Sequence, residues 1–249
     1  VTGDGVVVVN GGAAYVLAKA LHREIQAITD QPVKLVFNEN GQGHAVLGNS
    51  YWAELGVPIV AHTDAAAEIE EYGPQLLAGM QRYNQDKAKG TFLVGPTETF
   101  DDEYVVEMGE YRIEAKYLGP AHSPGDISIW LPNQSLVIAG DMAFHERMLP
   151  IFQDTYTADW LVTWDNEFEP LGATYVIPGH GHPTNMDQVR RYTRDYLVYL
   201  RGKVQEHMDA GGDLAEAYYV DQSPYAHLDT FEELATKNAG RVFEQMEFE

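Results

Sequence analysis

The chain has 249 residues, of which 38 are acidic and 16 are basic, so its formal net charge at pH 7 is −22. Because such a surface repels phosphate backbones, nucleic acid is excluded as an expected partner, and a small-molecule substrate or ligand is expected instead. The absence of cysteine excludes disulfides, thiolate metal ligands and cysteine nucleophiles, and no apolar run is long enough to predict a membrane span. The oligomeric state is left open.

The first half of the sequence alternates strand patterns with helix patterns. Predicted strands are short apolar runs at residues 6–9, 33–37 and 58–62, and predicted helices cover about residues 14–28 and 65–85. In the first helix, helical spacing places the apolar side chains of Leu17, Leu21, Ile25 and Ile28 on one side. Since parallel strands need crossover connections, the alternation predicts a parallel sheet covered by helices.

From about residue 103 onwards the pattern changes to closely spaced strands. These predicted strands cover residues 104–107, 111–118, 127–131, 135–139 and 174–177, and the chain beyond about residue 186 is mainly helical. No linker-like segment and no fixed short repeat interrupts the sequence. We therefore predict a single α/β domain over residues 1–249.

Three short segments combine the end of a predicted strand with glycine and a metal-capable side chain. They are residues 119–126 with His122, residues 139–142 with Asp141, and residues 178–182 with His180. Loops at strand ends can converge on one pocket, and imidazole and carboxylate are ligands that zinc accepts. Together the segments predict a metal-binding pocket, while His182 is expected to face solvent.

With these segments, the chain resembles the metallo-β-lactamase superfamily, and in particular its exported zinc-hydrolase-like branch associated with quinoprotein relay systems. Further matching stretches lie at residues 5–12, 38–52 and 238–244. The resemblance implies a four-layer αβ/βα sandwich with the active site along the edge shared by its two halves. Family members usually begin with an additional strand pair, so the first strands are expected to be missing here. An exported branch favours a periplasmic or secreted location over the cytoplasm.

The resemblance also implies roles for the three strand-end residues. His122 matches a ligand of the first metal, Asp141 matches the carboxylate that bridges two metals, and His180 matches a late ligand of the second metal.

The family's signature loop, which reads His-x-His-x-Asp-His and is soon followed by Gly-Asn, is broken in this chain. Anchoring the loop on the Gly-Asn pair at residues 48–49 puts Asn40, Gln42, His44 and Ala45 at the four ligand positions. A one-residue insertion would instead put His44 at the position of the final histidine. In addition, Asn10 stands where relatives commonly carry aspartate.

The broken loop removes most of the donors that would hold two metal ions. Amide oxygens are weak, neutral ligands for zinc, and alanine offers no donor. The metal-capable side chains that remain are His44, His122, Asp141 and His180, which we predict to hold one zinc ion at most. Asp141 and His44 are the predicted catalytic residues, with Asp141 either binding the ion or holding the attacking water.

Two functions are compatible with this pattern. The first is a metal-dependent hydrolase that attacks an ester, thioester, lactone or amide bond with one zinc ion. The second is a non-catalytic protein without a metal, in which Asn40, Gln42 and Ala45 line a pocket for a small polar ligand or a protein partner. The sequence leaves open whether the protein is an enzyme, and it does not identify a substrate.

Overall fold

The computed structural model describes residues 1–249, and its strands form two sheets. The chain divides into two compact units. Unit 1 consists of Val1–Tyr117 and Gly125–Asn133, and unit 2 consists of Leu118–Pro124 and Gln134–Glu249. The single domain over residues 1–249 stays a prediction. None of the helices combines the length and the apolar character that a bilayer crossing requires.

Unit 1 contains a parallel four-stranded sheet in the order β1-β2-β3-β4. Its strands are β1 (Val6–Val9), β2 (Val33–Phe37), β3 (Ile59–His62) and β4 (Glu98–Phe100). The helices of this unit are α1 (Tyr15–Ile28), α2 (Gly43–Val46), α3 (Asn49–Glu54) and α4 (Thr63–Asn84). Three further strands pair antiparallel in chain order, β5 (Glu103–Met108), β6 (Tyr111–Tyr117) and β7 (Ile127–Leu131).

Unit 2 contains a parallel strand pair, β8 (Leu136–Phe144) and β9 (Tyr175–His180). Its helices are α5 (Thr157–Thr163), α6 (Met186–Tyr192), α7 (Arg194–Asp209), α8 (Leu214–Ala217) and α9 (Phe231–Met246). The strands predicted beyond residue 103 and the mainly helical C-terminal region are thus present.

Burial of the parallel strands accounts for their apolar composition. All four residues of β3 are buried, and so are the last three residues of β2. Strands of a parallel sheet are usually covered on both faces, which is why they read as continuous apolar runs without alternation. The predicted α/β fold class, with two sheets and helices, is confirmed.

Helix α1 is confirmed, but its apolar side is mostly exposed. Three of the four apolar residues on that side are exposed, namely Leu17, Leu21 and Ile28. The buried residue of the helix is Ala18, and four residues further along the same side His22 Nδ1 lies 2.8 Å from the hydroxyl of Tyr51 in α3. The small side chain of Ala18 and the contact of His22 with Tyr51 determine which side of α1 packs against its neighbours. Apolar periodicity in the sequence reveals neither of them.

Strands β8 and β9 extend further than the apolar patterns predict. β8 continues beyond Ala139, so that Asp141 lies within the strand, and His180 is the last residue of β9. The pairing of the two strands shifts register on either side of Gly140, whose φ of 60° lies in the left-handed region. Such irregularities allow a strand to continue while its side chains are re-aimed, and they are common next to functional sites.

Candidate metal centre

In unit 1, the segment that carries the broken loop is held by a buried pair of asparagines. Asn49 Nδ2 donates to Asn38 Oδ1 at 2.8 Å, and Asn38 Nδ2 donates back to Asn49 Oδ1 at 3.1 Å. Both side chains are fully buried, and their amides also donate to the carbonyl oxygens of Ala45 and Val94. Because these buried polar groups are hydrogen-bonded, they fix the conformation of the segment.

Gly48 brings the same segment against the end of β1. Its N–H donates to the carbonyl oxygen of Gly12 at 2.5 Å, and a Cβ on Gly48 would collide with the carbonyl of Gly11. The carbonyl oxygen of Gly11 also accepts a hydrogen bond from Trp52 Nε1 at 3.0 Å. The glycine at this position is therefore required by a close approach of two backbones.

Two of the lost ligand positions, Asn40 and Ala45, are buried in the interior of unit 1. Asn40 is fully buried, its Nδ2 donates to Asp126 Oδ1 at 3.2 Å, and its Oδ1 accepts the backbone N–H of Gln42 at 3.0 Å. Gln42 is half-buried. Ala45 is fully buried in an apolar cluster with Val46, Leu47 and Ile69. Because Asn40 and Ala45 are enclosed, the predicted polar pocket gains no support from either side chain.

Glu39 is a candidate site residue that sequence reasoning missed. It is 2% exposed, its Oε1 lies 3.0 Å from His44 Nε2, and the same oxygen accepts a hydrogen bond from Asn10 Nδ2 at 2.6 Å. The backbone N–H of Glu39 donates to Asn10 Oδ1 at 3.0 Å, so these two residues bond reciprocally. The signal in the sequence was that Glu39 is the single acidic residue among residues 38–49.

The contact with Glu39 determines which nitrogen of His44 is available to a ligand. A carboxylate accepts hydrogen bonds, so a neutral imidazole donates its Nε2–H to Glu39 and keeps Nδ1 as an acceptor. Metal-bound histidines usually have this arrangement, with the second ring N–H directed at a carboxylate or a carbonyl oxygen. His44 therefore has the hydrogen bonding that suits a metal ligand.

In unit 2, His122 lies in a loop that two threonines hold in place. Thr155 Oγ1 donates to the carbonyl oxygen of His122 at 2.6 Å, and Thr163 Oγ1 donates to the carbonyl oxygen of Pro120 at 2.8 Å. The imidazole is 1% exposed and makes edge-on contacts with Phe152 and Trp160. A ring enclosed in this way has a fixed orientation.

Asp141 lies between two imidazoles of unit 2. It is 2% exposed, its Oδ2 is 3.6 Å from His122 Nδ1, and its Oδ1 is 3.6 Å from His180 Nε2. A Cβ on Gly179 would collide with Asp141 Oδ1, so the position beside the carboxylate requires glycine. The structure thus brings three of the four predicted donors together within unit 2, while His44 belongs to unit 1.

His180 is held from two sides. The ring of Phe144 stacks on it with centroids 5.2 Å apart and 25° between the planes, and Arg147 Nη1 lies 2.9 Å from His180 Nδ1. The His180 side chain is 31% exposed, which makes it the open member of the group around Asp141. Arg147 is a second residue that sequence reasoning missed, because it is 33 residues away in the chain and belongs to no motif.

His182 faces solvent, as expected. Its side chain is 86% exposed, and its Nδ1 lies 2.5 Å from Glu146 Oε2. The hydrogen bond between them lowers the pKa of Glu146 and raises the pKa of His182. The pair is an exposed ion pair of the kind that contributes little to stability.

A comparison with protein families identifies the kind of fold to which these residues belong. Residues 46–180, more than half of the chain, match the model of the metallo-beta-lactamase superfamily. This chain belongs to the metallo-β-lactamase superfamily. The matched residues include His122, Asp141 and His180, and they begin after Glu39 and His44.

Curated relatives match this chain over part of their length. The type 2 metallo-β-lactamase of Bacteroides fragilis is 32% identical over 116 residues, which cover 45% of this chain and 46% of that protein. The linear primary-alkylsulfatase of Pseudomonas sp. (strain ATCC 19151) is 22% identical over 129 residues, which cover 47% of this chain and 24% of that protein. The chain thus spans about half or less of the length of these curated relatives.

Solved metallo-β-lactamase structures share the fold. The metallo-β-lactamase from Pontibacter korlensis is similar with a TM-score of 0.66 and 19% sequence identity, over 80% of this chain and 84% of that protein. At this identity the likeness shows the fold alone. The predicted metallo-β-lactamase-like fold is confirmed.

Metallo-β-lactamase superfamily members use zinc, and part of the donor set of this chain fits that ion. Two donors bound at 2.0–2.1 Å to one tetrahedral ion lie about 3.3–3.4 Å apart. His122 Nδ1 and Asp141 Oδ2, which are both buried, lie 3.6 Å apart and are close to that separation. Glu39 and His44 in unit 1 also offer ligand atoms of the kind that metal ions bind. His180 Nε2 lies at the same distance, 3.6 Å, from Asp141 Oδ1, but the other ring nitrogen, Nδ1, faces the guanidinium of Arg147.

Proposed function

We propose that the protein is a metal-dependent hydrolase that works with a single zinc ion and cleaves an ester, thioester, lactone or amide bond. The observation that carries the proposal is the buried pair of His122 and Asp141 in unit 2, with Nδ1 and Oδ2 3.6 Å apart. Buried charges in proteins are paired or bind metals, and an imidazole and a carboxylate at this spacing suit zinc.

The proposal assigns a role to each of three residues. His122 and Asp141 would hold the ion, and His44 remains the predicted third ligand, with Nδ1 as the atom available to the metal. A bound zinc ion lowers the pKa of a water to about 7 and polarises a substrate carbonyl. Asp141 and His44 are the proposed catalytic residues, and in this proposal they act by holding the ion that activates the water.

The side chains at the lost ligand positions support one ion over two. Asn40 donates to Asp126 in the interior of unit 1, and Ala45 has no donor atom. A second zinc ion would therefore lack the imidazole ligands that a dinuclear site takes from this loop.

The experiment is purification without chelators, followed by elemental analysis and hydrolysis assays with and without added zinc. The substrates include an aryl ester, a thioester and a lactone. A β-lactam and a linear primary alkyl sulfate are also included, because two similar curated proteins are a metallo-β-lactamase and a linear primary-alkylsulfatase. We expect one zinc ion per chain and zinc-dependent hydrolysis of at least one substrate.

Matched variants make the result specific to the site. His122→Ala should lose both zinc and activity, whereas His227→Ala, which removes an exposed histidine of the same unit, should retain both. Protein that binds no zinc at any concentration and hydrolyses no substrate would contradict the proposal and support the non-catalytic alternative.

A further inference from the structure

Arg147 fixes the position of the proton on His180. A guanidinium group has donors only and stays protonated throughout the accessible pH range. The contact between Arg147 Nη1 and His180 Nδ1, at 2.9 Å, therefore runs in one direction, with Arg147 donating and Nδ1 accepting. A neutral imidazole whose Nδ1 accepts carries its proton on Nε2. His180 is thereby set as the Nε2–H form.

The Nε2 atom of His180 faces Asp141. It lies 3.6 Å from Asp141 Oδ1, so the contact is electrostatic and longer than a hydrogen bond. The ring of Phe144, stacked on the imidazole, keeps the plane of the ring fixed. A proton on Nε2 is therefore directed towards the carboxylate.

Arg147 is itself anchored by the backbone on either side of it. The N–H of Asp229 donates to the carbonyl oxygen of Glu146 at 3.0 Å, and the N–H of Met148 donates to the carbonyl oxygen of Asp229 at 2.9 Å. The Nε atom of Arg147 is buried. This guanidinium is thus part of the folded structure of unit 2 rather than a freely moving surface group.

A zinc ligand needs the opposite arrangement of protons. A histidine that binds through Nε2 has no proton on that atom, and its Nδ1–H is usually donated to a carboxylate or a carbonyl oxygen. In His180 such an Nδ1–H would point at the donors of Arg147. His44 in unit 1 shows the contrast, because its second nitrogen faces the carboxylate of Glu39.

We propose that His180 is a positioning residue that directs its Nε2–H at Asp141, that it is not a zinc ligand, and that Arg147 sets this role. The inference rests on the proposed zinc site. It assigns Asp141 Oδ1 to His180 and leaves Oδ2, beside His122, as the oxygen that binds the ion. The positive end of an N–H placed 3.6 Å from Oδ1 disfavours a second cation at that oxygen, so Arg147 gives a structural reason for a one-ion site.

Long-range ¹H–¹⁵N spectra of the histidine rings test the proposal in the zinc-free protein. His180 should show a protonated Nε2 and an unprotonated Nδ1 in the wild type. Arg147→Met removes the donor and should make both tautomers of His180 visible. An Nδ1–H form of His180 in the wild type would overturn the proposal, and so would a spectrum that Arg147→Met leaves unchanged.

The same spectra, recorded during a zinc titration, distinguish a positioning residue from a ligand. The Nε2–H signal of His180 should persist in the zinc-bound protein while the ring signals of His122 change. Loss of the His180 Nε2 proton on zinc binding would identify His180 as a ligand and contradict the inference.

Two substitutions of His180 give an independent measurement through zinc affinity. The amide of His180→Gln can replace the N–H donor but is a weak zinc ligand, so this variant should keep nearly wild-type affinity. His180→Ala should lose about tenfold to a hundredfold, as is usual for partners of metal ligands. Equal losses in both variants, as large as that of His122→Ala, would contradict the inference.

Different results would contradict the proposed function and the inference about His180. If no variant and no wild-type protein binds zinc, the proposed zinc site is wrong, and the spectra of the zinc-free protein still decide whether Arg147 controls His180. Thermal unfolding of each variant shows whether a loss of zinc affinity reflects a loss of folding.

Discussion

Asn10 and Glu39 bond each other twice, because Asn10 Nδ2 donates to Glu39 Oε1 at 2.6 Å and the Glu39 N–H donates to Asn10 Oδ1 at 3.0 Å. The resemblance to the superfamily implies aspartate at the position of Asn10. An aspartate there could accept the N–H but could not donate to a carboxylate. Asparagine at position 10 is therefore what allows a buried glutamate next to His44.

Asn10→Asp should destabilise the protein. The substitution keeps the shape of the side chain and is compatible with the φ of 69° at this position, but it places a second carboxylate against Glu39. We expect the free energy of unfolding to fall by about 1–3 kcal/mol, since a partly buried hydrogen bond becomes a like-charge contact. Urea unfolding at pH 7 measures the change.

The control for this prediction is a second substitution in the same background. Adding Glu39→Gln to Asn10→Asp supplies an amide that can donate to the new carboxylate, and it should recover much of the lost stability. Wild-type stability in the single variant Asn10→Asp would show that the reciprocal pair is not important.

Restoring a histidine to the broken loop should not restore a second metal ion. Ala45 is fully buried in an apolar cluster, so Ala45→His forces a large polar ring into a packed interior. We expect a loss of roughly 1–3 kcal/mol or more in unfolding free energy and no second zinc ion. Gln42→His, at a half-buried position of the same segment, should cost less stability. Two zinc ions bound to Ala45→His would contradict this prediction.

The order of strands and helices could be predicted from the sequence because it depends on local periodicity. Val6, Val8 and the strand residues 59–62 are buried as their apolar pattern predicts. His122, Asp141 and His180 could be selected because glycine-rich segments follow apolar strands, and two of these residues contact the third at 3.6 Å.

The partners of these residues could not be predicted, because they come from distant parts of the chain. Glu39 is 29 residues from Asn10, and Arg147 is 33 residues from His180. The extension of β8 as far as Asp141 depends on the irregular pairing at Gly140, which no local pattern reveals. Contacts formed by the tertiary structure override local signals at such positions.

A methyl group at position 179 should damage the site. Gly179→Ala places its Cβ against Asp141 Oδ1 and the carbonyl of Gly140, so we expect a loss of about 1–3 kcal/mol in unfolding free energy together with weaker zinc binding. The control is Gly202→Ala, an exposed position in α7 where an added Cβ meets no atom within 4 Å. It should stabilise the helix by about 0.5–1 kcal/mol and leave zinc binding unchanged. Isothermal titration and thermal unfolding measure both effects.

Stability should depend on pH through Glu169 in unit 2. Hydrogen bonds from Arg190 lower the pKa of Glu169, burial opposes the shift, and a hydrogen bond from Trp164 adds to it. Because the folded-state pKa is lowered, this stabilisation is complete above the unfolded pKa of about 4.3 and is lost as pH falls through the folded value.

Glu169→Gln measures this contribution. Relative to the wild type, the variant should lose about 0.5–1 kcal/mol at pH 7, a value that allows for screening of a partly exposed pair. The difference should shrink towards pH 3. Glu167→Gln, at an exposed position of the same segment, should show little change at either pH. A difference that is constant between pH 7 and pH 3 would contradict the assignment.

The most direct measurement of the proposed one-ion site is a zinc titration of chelator-free protein, with the bound metal counted by elemental analysis. We expect one zinc ion per chain at saturation, lost in His122→Ala and retained in His227→Ala. Two zinc ions per chain, or none at saturating zinc, would contradict the proposal that His122 and Asp141 hold a single ion.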